Sequence, residues 1–169
     1  EYVRRRRNAE LPYALFGYSM GAAFAYEMVS REILDRPPAH LFFGARACIA
    51  DEPIRELTDE EVLIHVKQLG GFDPKLMSNP RLFRVFTHPL LDDFHIAAQY
   101  RFAEGKHPDC GSTVLYSEED TPFPAVKGWS QLTAGKTDFF AFSGSHFFMR
   151  EHSQQIARII SEKLKECIE

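Results

Sequence analysis

The residues best able to do chemistry form one short run, Gly17-Tyr18-Ser19-Met20-Gly21. A serine with glycines two places to either side can occupy a strained strand-to-helix turn, which lifts its hydroxyl to where it can attack a carbonyl. The backbone N–H of the next residue, Met20, is then expected to donate to the oxyanion that forms. The pattern alone is weak: with glycine near 7% of residues, on the order of one chain in twenty this long would carry it by chance. Its surroundings raise it well above that level. Tyr13-Ala14-Leu15-Phe16-Gly17 is a continuous apolar run suited to a buried parallel strand, and a small-residue helical pattern starts at Met20.

A serine hydroxyl needs a general base, and the base needs a carboxylate that fixes its tautomer. In an α/β-hydrolase these follow in the order Ser, Asp or Glu, His. Gly144-Ser145-His146 lies on a small-residue turn after the last strand pattern, which makes His146 the candidate base. Of the other six among the seven histidines, His40, His65, His88, His95 and His107 precede that strand and His152 falls in the final helix. They read as surface or partly buried polar residues. The acid belongs on the loop after the third strand, where Ser117-Glu118-Glu119-Asp120 offers three carboxylates. Asp120, closest to Pro122, is the candidate and Glu119 the next choice, with the remaining two carboxylates solvated.

Positioning these groups takes a regular scaffold. After the first strand, a helix is expected over residues 20–34, ended by Asp35-Arg36-Pro37-Pro38 because proline cannot continue it. Further strands are expected at 41–45, 113–116 and 138–142. A last helix at 151–166 places Ile156, Ile159, Ile160 and Leu164 on one face. Strands alternating with helices predict an α/β fold with a parallel central sheet covered on both faces. A helical insert, about 55–108, separates the second and third strands. Thr58-Asp59-Glu60-Glu61 is a capping box, Val62, Val66 and Leu69 recur at helical spacing, and Gly70-Gly71 ends that helix. A second helical pattern covers 90–102. Asp92-Asp93 reads as a pair of first-turn acids complementing a helix dipole. Phe83, Phe86 and Phe94 read as core, with the wall of an acyl channel as the alternative.

Composition bounds the rest. The 169 residues make one domain, 1–169, and 44% apolar content excludes a disordered chain. A net charge of −4 gives no basic excess for nucleic acid. Arg4-Arg5-Arg6-Arg7 reads as a solvated helix face. No apolar run approaches the ~18 residues that span a membrane. The three cysteines are odd in number and widely spaced, as free thiols in a reducing compartment would be, and the expected location is cytoplasmic. No Cys or His pair has metal-ligand spacing, and no nucleotide-binding glycine motif occurs.

The segment Leu15-Phe16-Gly17-Tyr18-Ser19-Met20-Gly21-Ala22 resembles the nucleophile region of type II thioesterases, the stand-alone hydrolases of polyketide, nonribosomal-peptide and fatty-acid synthases. The likeness continues through Phe43-Gly44-Ala45-Arg46-Ala47, Leu57-Thr58-Asp59-Glu60-Glu61, Leu69-Gly70-Gly71, Asp93-Phe94, Asp120 with Trp129, and Gly144-Ser145-His146-Phe147-Phe148. The resemblance implies an α/β-hydrolase fold with a helical lid. It implies Ser19 as nucleophile, Asp120 as orienting acid and His146 as general base. The implied substrate is an acyl thioester on the phosphopantetheine arm of an acyl or peptidyl carrier protein, with no cofactor required. Two positions depart from the pattern: Tyr18 stands where the family usually has histidine, and Ser145 where it usually has glycine. Family members also begin with several strands before the elbow, one loop of which supplies a second oxyanion donor. Eighteen residues precede Ser19 here, so the sheet is expected to lack those N-terminal strands and the chain to be a fragment or an incomplete gene product. A small-molecule esterase or lipase of the same fold is the alternative, as is a truncated, inactive remnant that only binds a carrier or synthase partner.

Overall fold

The computed structural model describes residues 11–48, 57–69, 78–102 and 106–167. Four strands, β1 (Ala14–Tyr18), β2 (His40–Gly44), β3 (Gly111–Ser117) and β4 (Thr137–Phe142), form one sheet in that order, and every pair is parallel. Parallel neighbours need long crossovers, and the chain supplies them in turn. Helix α1 (Met20–Ser30) joins β1 to β2, and α2 (Asp59–Gln68) and α3 (Pro80–Gln99) lie between β2 and β3. The short α4 (Phe123–Val126) and a 3₁₀ turn (Lys127–Gln131) join β3 to β4. Beyond β4 come α5 (Phe148–Glu151) and α6 (Ser153–Glu166).

The central strands β2 and β3 are buried on both faces, and their apolar residues pack to either side of the sheet. Leu41, Phe43, Val114 and Tyr116 face α1 and the 3₁₀ turn, packing with Ala22, Tyr26 and Trp129. Phe43 and Trp129 stack with ring centres 3.9 Å apart. Leu115 and Phe142 pack on the other side with Phe148, Ile156 and Ile159, which seats α6. The small face of α1 lets it lie close on the sheet: Ala22 and Tyr26 are wholly buried, and Ala23 and Ala25 nearly so.

The element order agrees with the sequence reading, and several boundaries move. Helix α1 stops at Ser30, four residues before the expected end, because Glu32 turns into the left-handed region at φ 53°. The chain breaks the helix there, ahead of the prolines. The last helix is split at His152 into α5 and α6. The largest shift is in α3, which starts at Pro80. The Asn79 side chain caps it, accepting from the N–H groups of Arg81 and Leu82, and Pro80 fits the first helical position. Asp92 and Asp93 therefore lie in the second half of α3, and the first-turn reading of that pair is incorrect. Asp92 instead sits 3.4 Å from His88, one turn earlier.

The capping box at Thr58 forms: Glu61 N–H donates to Thr58 Oγ1, and Thr58 N–H donates back to the Glu61 carboxylate at 2.9 Å. Gly70-Gly71 and the arginines at 4–7 lie outside the described residues. Among the described residues, no helix is long and apolar enough to cross a membrane.

Candidate active site

All candidate groups stand at the carboxyl ends of the strands, where an open parallel sheet forms its crevice. Ser19 links β1 directly to α1 at φ 53°, ψ −123°. A non-glycine residue with that backbone is strained and persists only where its surroundings enforce it. Two hydrogen bonds do so: Ser19 N–H donates to Gly44 C=O at 2.8 Å, and Ser19 C=O accepts from Ala22 N–H at 3.0 Å. Gly17 makes the turn possible. A Cβ there would lie 2.2 Å from the Gly21 carbonyl oxygen and 2.5 Å from Ala22 Cα. Gly21 is different, since a Cβ at that position meets nothing within 4 Å.

His146 follows β4 on a loop whose Gly144 has φ 102°, a backbone suited to glycine. Its Nδ1 lies 2.9 Å from Asp120 Oδ2, and the two side chains are 15% and 6% exposed. An Nδ1–H donated to this carboxylate leaves Nε2 as the free acceptor of the ring. Asp120 is set by the turn that ends β3, where Asp120 N–H and Thr121 N–H both donate to Ser117 C=O. Glu119, the second choice for the acid, has a different partner: its Oε1 accepts from Gly144 N–H at 2.8 Å. The Ser117 hydroxyl donates to Gly144 C=O. Glu118 Oε2 accepts from Phe123 N–H at 3.4 Å. The expectation that two of these three carboxylates are merely solvated is therefore incorrect, and Glu119 in particular grips the backbone of the His146 loop.

Ser19 and His146 line two adjoining cavities, of about 400 and 620 Å³. Asp120 borders the smaller, together with Arg46 and Arg101, and Met20 borders the larger. Helix α3 gives both an apolar wall of Phe94, Ala97 and Ala98, to which Leu90 adds in the larger. Of the three phenylalanines considered for an acyl channel, Phe94 faces the cavities and Phe86 is exposed. His65 of α2 also lines both cavities, its ring edge-on to Phe94 at 5.7 Å. Helices α2 and α3 are tied by His95 Nε2 to Asp59 Oδ1 at 2.9 Å.

Two neighbours of the site were not foreseen. Arg46 follows β2, donates from Nη2 to Ala97 C=O at 3.1 Å and so joins α3 to the sheet. Its own C=O accepts from Trp129 Nε1 at 2.9 Å. Tyr18, which departs from the family pattern, places its ring 5.8 Å from that of His146 and donates its O–H to the His146 carbonyl. Burial pushes its phenol up to about 12, a backbone hydrogen bond from Met149 opposes part of that rise, and the Asp120 charge adds to it. The thiols of Cys48 and Cys110 are buried and free. Burial raises them to about 12 and about 11, which leaves them protonated and poor competitors for the role of nucleophile.

A thioesterase domain model matches residues 1–164. The chain belongs to the thioesterase family. The type II resemblance seen in the sequence holds among its relatives. Linear gramicidin dehydrogenase LgrE of Brevibacillus parabrevis is 28% identical over 165 residues, covering 91% of this chain and 63% of that protein. Thioesterase PikA5 of Streptomyces venezuelae is 28% identical over 160 residues, covering 89% of this chain and 56% of that protein. The chain thus spans about three fifths of the length of these curated relatives. Among solved structures, the type II thioesterase BorB from the borrelidin biosynthetic cluster is 29% identical at a TM-score of 0.77, covering 96% of this chain and 69% of that one. The fold is that of the α/β-hydrolase thioesterases.

Proposed function

We propose that this chain hydrolyses an acyl thioester held on the phosphopantetheine arm of an acyl or peptidyl carrier protein, using Ser19, His146 and Asp120. The observation that carries this reading is the Asp120–His146 pair, 2.9 Å apart, bordering the same cavity as a serine held at φ 53°. His146 Nε2 takes the proton of Ser19 Oγ as that oxygen attacks the thioester carbonyl. The N–H of Met20, first residue of α1, donates to the oxyanion, where the helix N-terminus adds a favourable field. Collapse of the tetrahedral species expels the thiolate, which takes the proton from the imidazolium. Water, activated by the same imidazole, then attacks the acyl-serine ester and releases the acid and the free serine.

Residues 1–169 act as one domain, with the insert at about 55–108 as the lid and its apolar wall around Phe94 as the acyl contact. The cytoplasm, where free thiols persist, is the compartment this reading expects. The reaction is placed beside a polyketide, nonribosomal-peptide or fatty-acid synthase, as editing or product release, a reading supported by relatives named as a thioesterase of the borrelidin biosynthetic cluster and an S-acyl fatty acid synthase thioesterase. The test compares a butyryl thioester on a carrier protein, the same acyl group on pantetheine, and a simple butyrate ester. Faster turnover of the carrier-bound thioester is expected. Preference for the oxygen ester would move the chain to the small-molecule esterases, and equal turnover of both thioesters would remove the carrier protein as partner.

A further inference from the structure

We propose that Tyr18 is a positioning residue that fixes His146 relative to Ser19, an assignment that rests on the triad reading above. The loop carrying His146 is held to β3 by Ser117 and Glu119 at Gly144 and by Asp120 at Nδ1. None of these contacts reaches β1, the strand that delivers the nucleophile. Tyr18 makes that link. It is covalently adjacent to Ser19, its O–H donates to the His146 carbonyl, and its ring lies 5.8 Å from the imidazole and 5.7 Å from Phe148. The base loop therefore cannot slide relative to the elbow without losing this contact.

Space is left for the ring. Gly44, the register partner of Tyr18 on β2, lacks a Cβ that would sit 2.6 Å from Tyr18 Cδ2. Burial keeps the phenol protonated across the neutral range, so it remains a donor wherever His146 acts as base. A reacting group misplaced by about 1 Å can lose ~10²-fold in rate, which sets the scale of the effect.

The test measures fluorophosphonate labelling rates, together with kcat and KM on butyryl-pantetheine, for wild type, Tyr18→Phe and Ile159→Val. The phenylalanine keeps the ring and removes the donor. The valine trims the core under α6 and supplies a matched loss of melting temperature far from the site. Labelling and kcat are expected to fall by about 10- to 100-fold in Tyr18→Phe with KM within about twofold, while Ile159→Val tracks wild type. A Tyr18→Phe protein within twofold of wild type overturns the assignment, as does an equal loss in Ile159→Val. If Tyr18→Phe does not fold, Gly44→Ala must reproduce the kcat-specific loss by displacing the ring, and failure to do so overturns it. A folded wild type that never labels removes the triad reading and this one together. Labelling without thioester turnover removes only the substrate class and leaves the labelling ratio to decide Tyr18.

Discussion

The sheet end that carries Ser19, Asp120 and His146 and helix α3, which walls its cavities, are built on opposite terms. At the sheet end β2 is buried throughout, β3 nearly so, and each loop is tied to another element by hydrogen bonds through its backbone. Helix α3 buries only Thr87 and leaves Leu82, Val85, Phe86 and Ile96 exposed. Its ties to neighbouring elements include one backbone carbonyl, Ala97, held by Arg46, and one exposed His–Asp pair. Groups that exchange a proton must keep a separation to within a fraction of an ångström, and tight packing enforces that. A wall that touches an acyl chain can be looser, because burying methylenes has no preferred direction.

Changes at the rigid end should therefore act on rate and stability, and changes at the lid on substrate binding. The largest effect is expected from Asp120→Asn, which favours the wrong tautomer of His146 and should lower kcat on the order of 10⁴-fold with the fold intact. Its neighbour supplies the contrast. Glu119→Ala frees only a backbone N–H and should lower kcat by about 2- to 10-fold, so a greater loss there would reassign the acid. Next is Gly17→Ala, whose methyl would enter the space of the Gly21 carbonyl. A destabilisation of at least about 2 kcal/mol is expected from urea unfolding, against ~1 kcal/mol or less, even stabilising, for Gly21→Ala in the first turn of α1.

At the lid, Phe94→Ala should raise KM by about three- to tenfold and leave kcat within twofold. A fall in kcat alone would erase the distinction between the two regions. The smallest effect lies at the amino end of the sheet, where buried His40 bonds Thr113 at 2.8 Å. Burial holds its imidazole below the ordinary value of 6.5, so the unfolded chain binds the proton first. Stability from this group is complete above about pH 6.5 and is lost as pH falls toward the folded value. Melting curves between pH 5 and 7 should show that loss in wild type and less of it in His40→Gln, with activity at pH 7.5 unchanged.

Much of the rigid end was legible in the sequence, because local rules specify it. The elbow follows from glycine spacing between an apolar run and a small-residue helix, and the order of the three groups follows from strand order. The second lid helix was misread because Pro89 interrupts its pattern. A proline so deep in a helix argues locally against it, whereas the signal for the true start is the capping Asn79 followed by Pro80. Tyr18 and Glu119 were missed for a different reason. Tyr18 meets a residue 128 positions away, and Glu119 one 25 positions away, across loops that carry no periodicity. Which of two adjacent carboxylates reaches a ring and which reaches a backbone depends on the turn at Ser117, and residue type alone does not encode that.

The central claim is that Ser19 is an activated nucleophile. Intact mass after fluorophosphonate treatment, for wild type beside Ser19→Ala, tests it most directly. One adduct on the wild type and none on the variant is the expected result. A folded wild type without an adduct, or an adduct that survives the substitution, would contradict it.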